Sequence, residues 1–197
     1  MDPDEIEFLA EQEWVTVVPK FSDPRVVHLI CGEVGPFRAG LPLSVPIWVA
    51  LDLRRRHKCK VIPPDWMDVE ILEGLLEAEK NSTYFTKMPS EHYMGIVHLL
   101  LGVAAEDIKD ANLIRTAVKD LWDLRVAKAR TSADNFIRRG GRFAGVNHMT
   151  RLEIATLRPL LTDALDTIHF LGSVSAGTLS FLKFLFIKMD ICLSVYL

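Results

Sequence analysis

The run GPFRAGLPLSVPIWVALDLRRRHKCKVIPPDWMDVE, residues 35–70, separates two parts of the chain that differ in composition. Its Pro63-Pro64 pair is a strong break in secondary structure. The residues before it predict two short strands, WVTVV (14–18) and VVHLI (26–30), followed by turns over CGEVGPFRAG (31–40), which is rich in glycine. The residues after it predict helices alone. The sequence therefore predicts an α+β fold that is mostly α, with a small β-rich domain (1–63) followed by a larger helical bundle domain (64–171).

Helical periodicity accounts for most of the second domain and for two segments of the first. Residues 2–13 predict a short amphipathic helix, and Pro46 suits the first turn of a helix that ends at three arginines. In that helix we expect Ile47, Trp48 and Leu51 to share one face.

The helical domain divides into four predicted helices. Asp65 predicts the N-cap of a helix to Lys80, and the spacing of its acids places them on the solvent side: Glu70, Glu73, Glu77 and Glu79. A helix from Ser90 to Leu101 follows, and the longest helix is predicted over residues 110–137. The last begins at a capping box of Thr150 and Glu153, and Pro159 is expected to interrupt or restart it.

Composition and charge exclude several classes of protein. Of 197 residues, 49% are apolar and 25% charged, and the net charge is −3, which excludes a disordered charged tail, a collagen-like chain and a surface that is basic throughout. Three cysteines without metal-ligand spacing predict a reduced, intracellular chain. The first 13 residues carry six acids and no basic residue, which opposes a secretory signal or a mitochondrial presequence.

A search for catalytic patterns predicts no enzyme. The sequence contains no G-x-S-x-G, no P-loop and no G-x-G-x-x-G. The six histidines are scattered, and His92 and His98 are six residues apart, which puts them on different faces of a helix. We therefore expect no catalytic residue, metal ligand or cofactor site.

Two basic segments leave alternatives open. RRRHKCK (54–60) has five Lys or Arg residues in seven, which suits phosphate contacts or nuclear import, or else a helix end followed by an edge strand that charge protects from mispairing. The arginines around Gly140-Gly141 suit a backbone-binding loop or a plain loop. The candidate basic contacts are Arg54, Arg55, Arg56, Lys58 and Lys60.

The run 35–70 resembles the second Psf-type subunit of the eukaryotic GINS complex, a partner of Sld five. EFLAEQEWVTVVPKF (7–21) and IRTAVKDLWDLRVAKARTSADNF (114–136) share the resemblance, which covers residues 1–171. It implies a heterotetramer of four paralogous subunits, held mainly by their helical domains. The tetramer is expected to join the hexameric MCM motor and a further accessory protein as the active replicative DNA helicase. The motor hydrolyses ATP, so the resemblance implies a non-catalytic, nuclear scaffold without a cofactor or a membrane.

The resemblance leaves two partners open. One is a replicative DNA polymerase, and the other is DNA itself, which an accessory DNA-binding module would contact through Arg54–Lys60.

The long helix carries an apolar band that is broader than one neighbouring helix can bury, so we expect part of it to face a partner subunit. Trp122 and Arg125 are the expected anchor, because tryptophan and arginine are enriched at interface hot spots. The alternative is that Trp122 is core within the subunit. The candidate interface residues are Ile114, Val118, Leu121, Trp122 and Arg125.

The chain departs from the family at residues 140–145, where glycines replace a polar helix end, and at residues 172–197. This last segment supplies almost all of the positive mean hydropathy, +0.18. Its 19 residues from Leu179 to Leu197 approach the length of a membrane span, but two lysines and an aspartate lie inside them. The alternatives are a membrane anchor, a helix packed on the helical domain, and a sequence not selected for this fold, such as an alternative transcript end or a gene-model error. We favour the third.

Overall fold

A computed structural model of the protein describes residues 3–138 and 146–174. The first part of the chain contains two helices and five strands: α1 (Pro3–Glu11), β1 (Trp14–Pro19), β2 (Val27–Leu29), β3 (Gly32–Val34), β4 (Leu43–Pro46), α2 (Ile47–Arg55) and β5 (Cys59–Ile62). The second part is helical: α3 (Val69–Asn81), α4 (Tyr93–Val103), a 3₁₀ turn (Ala105–Asp107), α5 (Ala111–Arg138) and α6 (Arg151–Val174). The predicted α+β, mostly α fold is confirmed.

Two sequence-based interpretations fall largely outside the described residues. The arginine- and glycine-rich loop at 139–145 lies outside them, and so does the apolar segment from residue 175 onward. Helix α6 continues through Val174, three residues beyond the predicted end of the helical domain.

A three-stranded antiparallel sheet, in the order β4-β1-β5, forms the centre of the first part. Thr16 lies opposite Ser44 on one side and opposite Ile62 on the other. The side chains alternate along β1, so that Val15 and Val17 are buried while Trp14 and Thr16 point the other way. We call the second side the outer face of the sheet; it carries Trp14, Thr16, Val18, Ser44, Lys60 and Ile62.

The prediction that residues 31–40 contain only turns is wrong for Gly32–Val34. These residues form β3, which pairs with β2 in a separate two-stranded hairpin. A strand of three residues that begins with glycine is too short to show alternation, so periodicity gave no signal. Gly32 has φ 142° and lies against the Trp14 ring, where an added Cβ would be 3.1 Å from the ring.

The buried apolar residues form one cluster that crosses residue 63. The inner face of the sheet contributes Val17 and Val61, and the helical part contributes Leu100 and Leu121. Helices α1 and α2 both pack against α4, so the two parts of the chain share a core. Gly95 allows α4 to lie close against α1, because a Cβ there would be 3.1 Å from the Cβ of Ala10.

Several helices begin at other residues than the sequence predicts. Helix α3 begins at Val69 with Asp68 at the N-cap position, not Asp65, because Met67 is buried and the chain turns there through a Met67 N–H to Pro64 O bond (2.9 Å). Helix α4 begins at Tyr93, not after Ser90. Pro46 is the N-cap of α2 and lies just outside the helix.

The start of α6 is as predicted. Thr150 donates its backbone N–H to Glu153 Oε2 (2.8 Å), and Glu153 donates its own to Thr150 Oγ1 (3.5 Å), which is the reciprocal pattern of a capping box. The predicted interruption at Pro159 is wrong, since α6 runs unbroken through it. A proline inside a helix removes one backbone hydrogen bond. The other backbone hydrogen bonds of this 24-residue helix are enough for it to continue past Pro159.

The close approach of α1 to α4 generates a test. We expect Gly95→Val to lower the free energy of unfolding by about 1–3 kcal/mol, because the added side chain must push against Ala10. Gly102→Val in the same helix is the matched control: a Cβ there meets nothing within 4 Å, so a change below about 0.5 kcal/mol is expected. Urea denaturation measures both, and equal effects would contradict the packing assigned to Gly95.

Candidate functional site

Arg125 of α5 is fully buried and all of its donors are used. Its Nε lies 2.6 Å from Glu153 Oε1, and its Nη1 lies 2.9 Å from Glu79 Oε2. The same guanidinium donates to the backbone carbonyls of Thr86 (3.0 Å) and His148 (2.8 Å). One side chain therefore joins α3, α5, α6 and the segments that precede α4 and α6.

A second cation completes the cluster. Lys128, one turn further along α5, places its Nζ 2.5 Å from Glu79 Oε1 and donates to the carbonyl of Ser82 (2.9 Å). Thr86 donates its hydroxyl to the other Glu79 oxygen. The Phe85 ring lies 5.2 Å from the Arg125 guanidinium and 5.8 Å from Lys128 Nζ. Two cations thus face two carboxylates, and the cluster is neutral as a whole.

The surroundings shift the pKa values of Glu79, Tyr93 and Arg125 in this cluster. Burial alone would raise the pKa of Glu79, but hydrogen bonds from Lys128 and Thr86 and the charge of Arg125 outweigh it and hold the pKa below 4.5. Burial, together with the charge of Glu153, raises the pKa of the Tyr93 hydroxyl well above its ordinary value. Glu79 is therefore ionised at physiological pH, as a partner of Arg125 must be, and Tyr93 is neutral and donates its hydroxyl to Glu153 Oε1 (3.4 Å).

The prediction that Glu79 lies on the solvent side of its helix is wrong. Glu79 is seven residues after Leu72, two turns along the same buried face. That spacing was a usable signal, because an acid at an apolar position of a helix requires a buried cation. Arg125, the cation that pairs with Glu79, is 46 residues further along the chain, and no local sequence pattern identifies this pairing.

The five predicted interface residues all lie inside the subunit. Ile114, Val118 and Leu121 are 1–2% exposed, Trp122 is 6% exposed and Arg125 is fully covered. Helix α5 buries this broad band by packing against α3, α4 and α6 at once, which is why one neighbour did not suffice. A covered side chain presents no surface to a partner, so we assign these five residues to the core. Leu113 of the same helix is exposed.

Arg54 belongs to the junction between the two parts of the chain. Its Nε lies 2.8 Å from an Asp107 carboxylate oxygen, and its Nη2 donates to Glu106 (3.0 Å). Asp107 also accepts the backbone N–H of Val61 (3.1 Å), which caps the free edge of strand β5. The first arginine of the basic run thus holds the sheet against the helical part and is unavailable for phosphate contacts.

The other four basic candidates stay on the surface. Arg56 pairs with Asp52 at 3.1 Å, while Arg55, Lys58 and Lys60 are exposed. Lys20, which directly follows strand β1, joins them, because its backbone N–H donates to Lys58 O (2.7 Å). We call Lys20, Lys58 and Lys60 the lysine cluster. The sequence did not associate Lys20 with the basic run, since the two meet only through strand pairing.

Apolar side chains are also exposed on both parts of the chain. Trp48 is exposed although it was predicted to share the buried face of α2, because the buried stripe of that helix follows Ile47, Ala50 and Leu51. Leu41 of the first part is 52% exposed and Leu113 of the second is 58% exposed.

Within residues 3–138 and 146–174, no group of three or more histidine, cysteine or acidic side chains is placed to hold a metal ion. Across the same ranges no helix combines the length and the apolar character that a membrane crossing needs.

Two family models match the chain. The model described as the PSF2 N-terminal domain matches residues 2–62, and the model described as the GINS complex protein helical bundle domain matches residues 66–168.

Curated relatives match across both parts. The chain is 47% identical to the "Probable DNA replication complex GINS protein PSF2" of Drosophila melanogaster, over 85% of this chain and 82% of the relative. It is also 47% identical to the human "DNA replication complex GINS protein PSF2", over 86% and 91%. The Schizosaccharomyces pombe relative of the same description is 28% identical, over 88% and 92%.

The buried cluster predicts a large effect of Arg125. We expect Arg125→Met to lower the free energy of unfolding by about 3–5 kcal/mol, because two carboxylates lose their buried counter-charge. Arg115→Met, on the exposed side of the same helix, should change it by less than about 0.5 kcal/mol. Urea denaturation of both variants is the measurement, and a loss below about 1 kcal/mol for Arg125→Met would contradict the assigned role.

The lowered pKa of Glu79 predicts a pH dependence. A carboxyl whose folded pKa lies below 4.5 contributes stability above that pH and loses it as the pH falls through the folded pKa. We expect Glu79→Gln to be less stable than the native chain at pH 7, and the difference to narrow below pH 4.5. Denaturation between pH 7 and 3 tests this, with the exposed Glu77→Gln as the control. A constant difference would show that Glu79 does not titrate in this way.

Proposed function

The chain belongs to the PSF2 family of GINS complex proteins, and from this membership we propose that it acts as a non-catalytic structural subunit of a heterotetrameric GINS complex. In this proposal the tetramer joins the hexameric MCM motor and a further accessory protein to form the active replicative DNA helicase. The site of action is the nucleus, and the partners are the three other GINS subunits. Contact with a replicative polymerase is a further expectation of the same kind.

The observation that supports the proposal is sequence identity to curated relatives over most of the chain. Relatives named as GINS proteins are 47% identical over about 168 residues, which include both the sheet and the helical part. We propose that these parts act as two domains that divide near Pro63, and that the second domain extends through Val174, where α6 ends.

The buried core limits the surface through which partner subunits can bind. Because the broad apolar band of α5 is already buried, association must use exposed side chains. A tetramer held mainly by helical domains would use residues such as Leu113, on the first turn of α5. Leu41, of similar exposure, lies in the loop before β4 of the first domain.

A co-expression experiment tests assembly. The native chain is produced with the three other GINS subunits of the same organism, and native mass spectrometry should show a 1:1:1:1 complex. Leu113→Asp should weaken assembly by at least about tenfold, because a buried charge at an interface costs more than about 1.4 kcal/mol. Leu41→Asp, the matched control, should leave assembly intact.

Two results would overturn parts of this proposal. A native chain that stays monomeric beside its three intended partners would contradict the subunit role itself. Equal assembly of the Leu113→Asp and Leu41→Asp variants would retain the subunit role but contradict the assigned helical-domain contact. Circular dichroism of each variant shows whether the fold is kept.

A further inference from the structure

We propose that the outer face of the three-stranded sheet binds the phosphate backbone of single-stranded DNA through the lysine cluster, Lys20, Lys58 and Lys60. The proposal rests on the proposed function, since it names a ligand for the same subunit. It also replaces the sequence-based set Arg54–Lys60 with residues that the sheet brings together.

Strand pairing concentrates the three lysines at one end of the sheet. Val18 lies opposite Lys60 and Pro19 opposite Cys59. Just beyond the ends of the two strands, Lys20 and Lys58 are joined by a 2.7 Å backbone hydrogen bond. Directly opposed residues have Cβ atoms about 5 Å apart, and residues two apart on a strand are separated by about 7 Å. All three side chains are exposed.

Among residues 3–138 and 146–174, no ion pair within 4.0 Å joins an acid to a lysine of this cluster. Like charges directly opposite each other destabilise a sheet. The nearby acids are engaged elsewhere: Asp107 and Glu106 pair with Arg54, Asp52 pairs with Arg56, and Asp23 pairs with Arg25. Lys58 does have an aromatic neighbour, the Phe21 ring at 5.7 Å, but this contact leaves its charge in place. A polyanion would relieve the repulsion that the fold leaves there.

The rest of the outer face favours a single strand over a duplex. Ile62 and Trp14 are 40% and 42% exposed, and Thr16 and Val18 between them are half-buried. This partly apolar strip offers a surface on which unpaired bases can lie, as on other sheets that bind single strands. In a duplex the bases are already stacked and paired, so the strip would meet only the sugar-phosphate backbone.

Two arguments favour DNA as the ligand: the way lysine binds phosphate, and the proposed role of the chain in DNA replication. Lysine binds phosphate as a flexible point charge, whereas paired recognition of carboxylates favours arginine. An acidic protein segment is the competing ligand. We favour DNA because the relatives are named as DNA replication proteins.

Fluorescence anisotropy of a labelled 20-nucleotide single strand, with the full chain, tests the proposal. The test variant is Lys20→Gln/Lys58→Gln/Lys60→Gln. The matched control, Lys87→Gln/Lys109→Gln/Lys119→Gln, removes the same charge from exposed positions of the helical domain. Three phosphate contacts predict that the native affinity falls about 20-fold between 50 and 200 mM salt, and that the test variant loses about 2 from the log–log salt slope. The control should keep the native slope.

Four outcomes would overturn the proposal. They are no binding by the native chain at 50 mM salt, equal losses in the test and control variants, tighter binding of a duplex than of the single strand, and displacement of the strand by a polyglutamate peptide at equal charge concentration. Co-expression of the test variant with the three other subunits separates this proposal from the subunit role. Intact assembly with lost DNA binding is the expected result, and lost assembly with retained DNA binding would contradict the proposed face.

Discussion

The buried guanidinium of Arg125 is the constraint on which the helical part depends. A charge in a dry interior is tolerated only when counter-charges and hydrogen-bond acceptors surround it. Here two carboxylates and two backbone carbonyls do so, and they come from α3, α6 and the segments before α4 and α6. Because each group is needed to satisfy the others, an arrangement that displaces one helix leaves a charge unpaired. Apolar packing alone would allow a helix to shift or rotate at less cost.

A second ionic contact, between Asp107 and Arg54, fixes the position of the sheet relative to the helices in the same way. Asp107 meets the Arg54 side chain and the Val61 backbone N–H together, so it closes the open edge of strand β5 and fixes the end of α2. The shared apolar core alone would resist separation but would define orientation weakly, since the hydrophobic effect is non-directional. The orientation of the sheet towards α4 therefore rests on a directional contact at the edge of the core.

Local sequence patterns predicted much of this structure. They did not predict the partners of the buried charged residues. The β1 strand, the long helix and the capping box at Thr150 depend on neighbours within a few residues, and they were found. Glu79, Arg125 and Arg54 were each interpreted from their immediate surroundings, as a solvated acid, an interface anchor and a phosphate contact. Their charged partners lie 28 to 53 residues away, so their roles are set by tertiary pairing. The resemblance identified the family without resolving these pairs.

The closed core also bears on how such a subunit would assemble. The apolar band that suggested a missing partner is satisfied within the chain, so the subunit does not need a second chain to cover α5. Interfaces formed between chains with complete cores resemble ordinary protein surface in polarity, and their specificity comes from a few anchors and from charge patterns. For this chain the acidic α1 and the exposed Leu113 are such features. The interior charges define the shape of the subunit, and the exterior charges are left to select its partners.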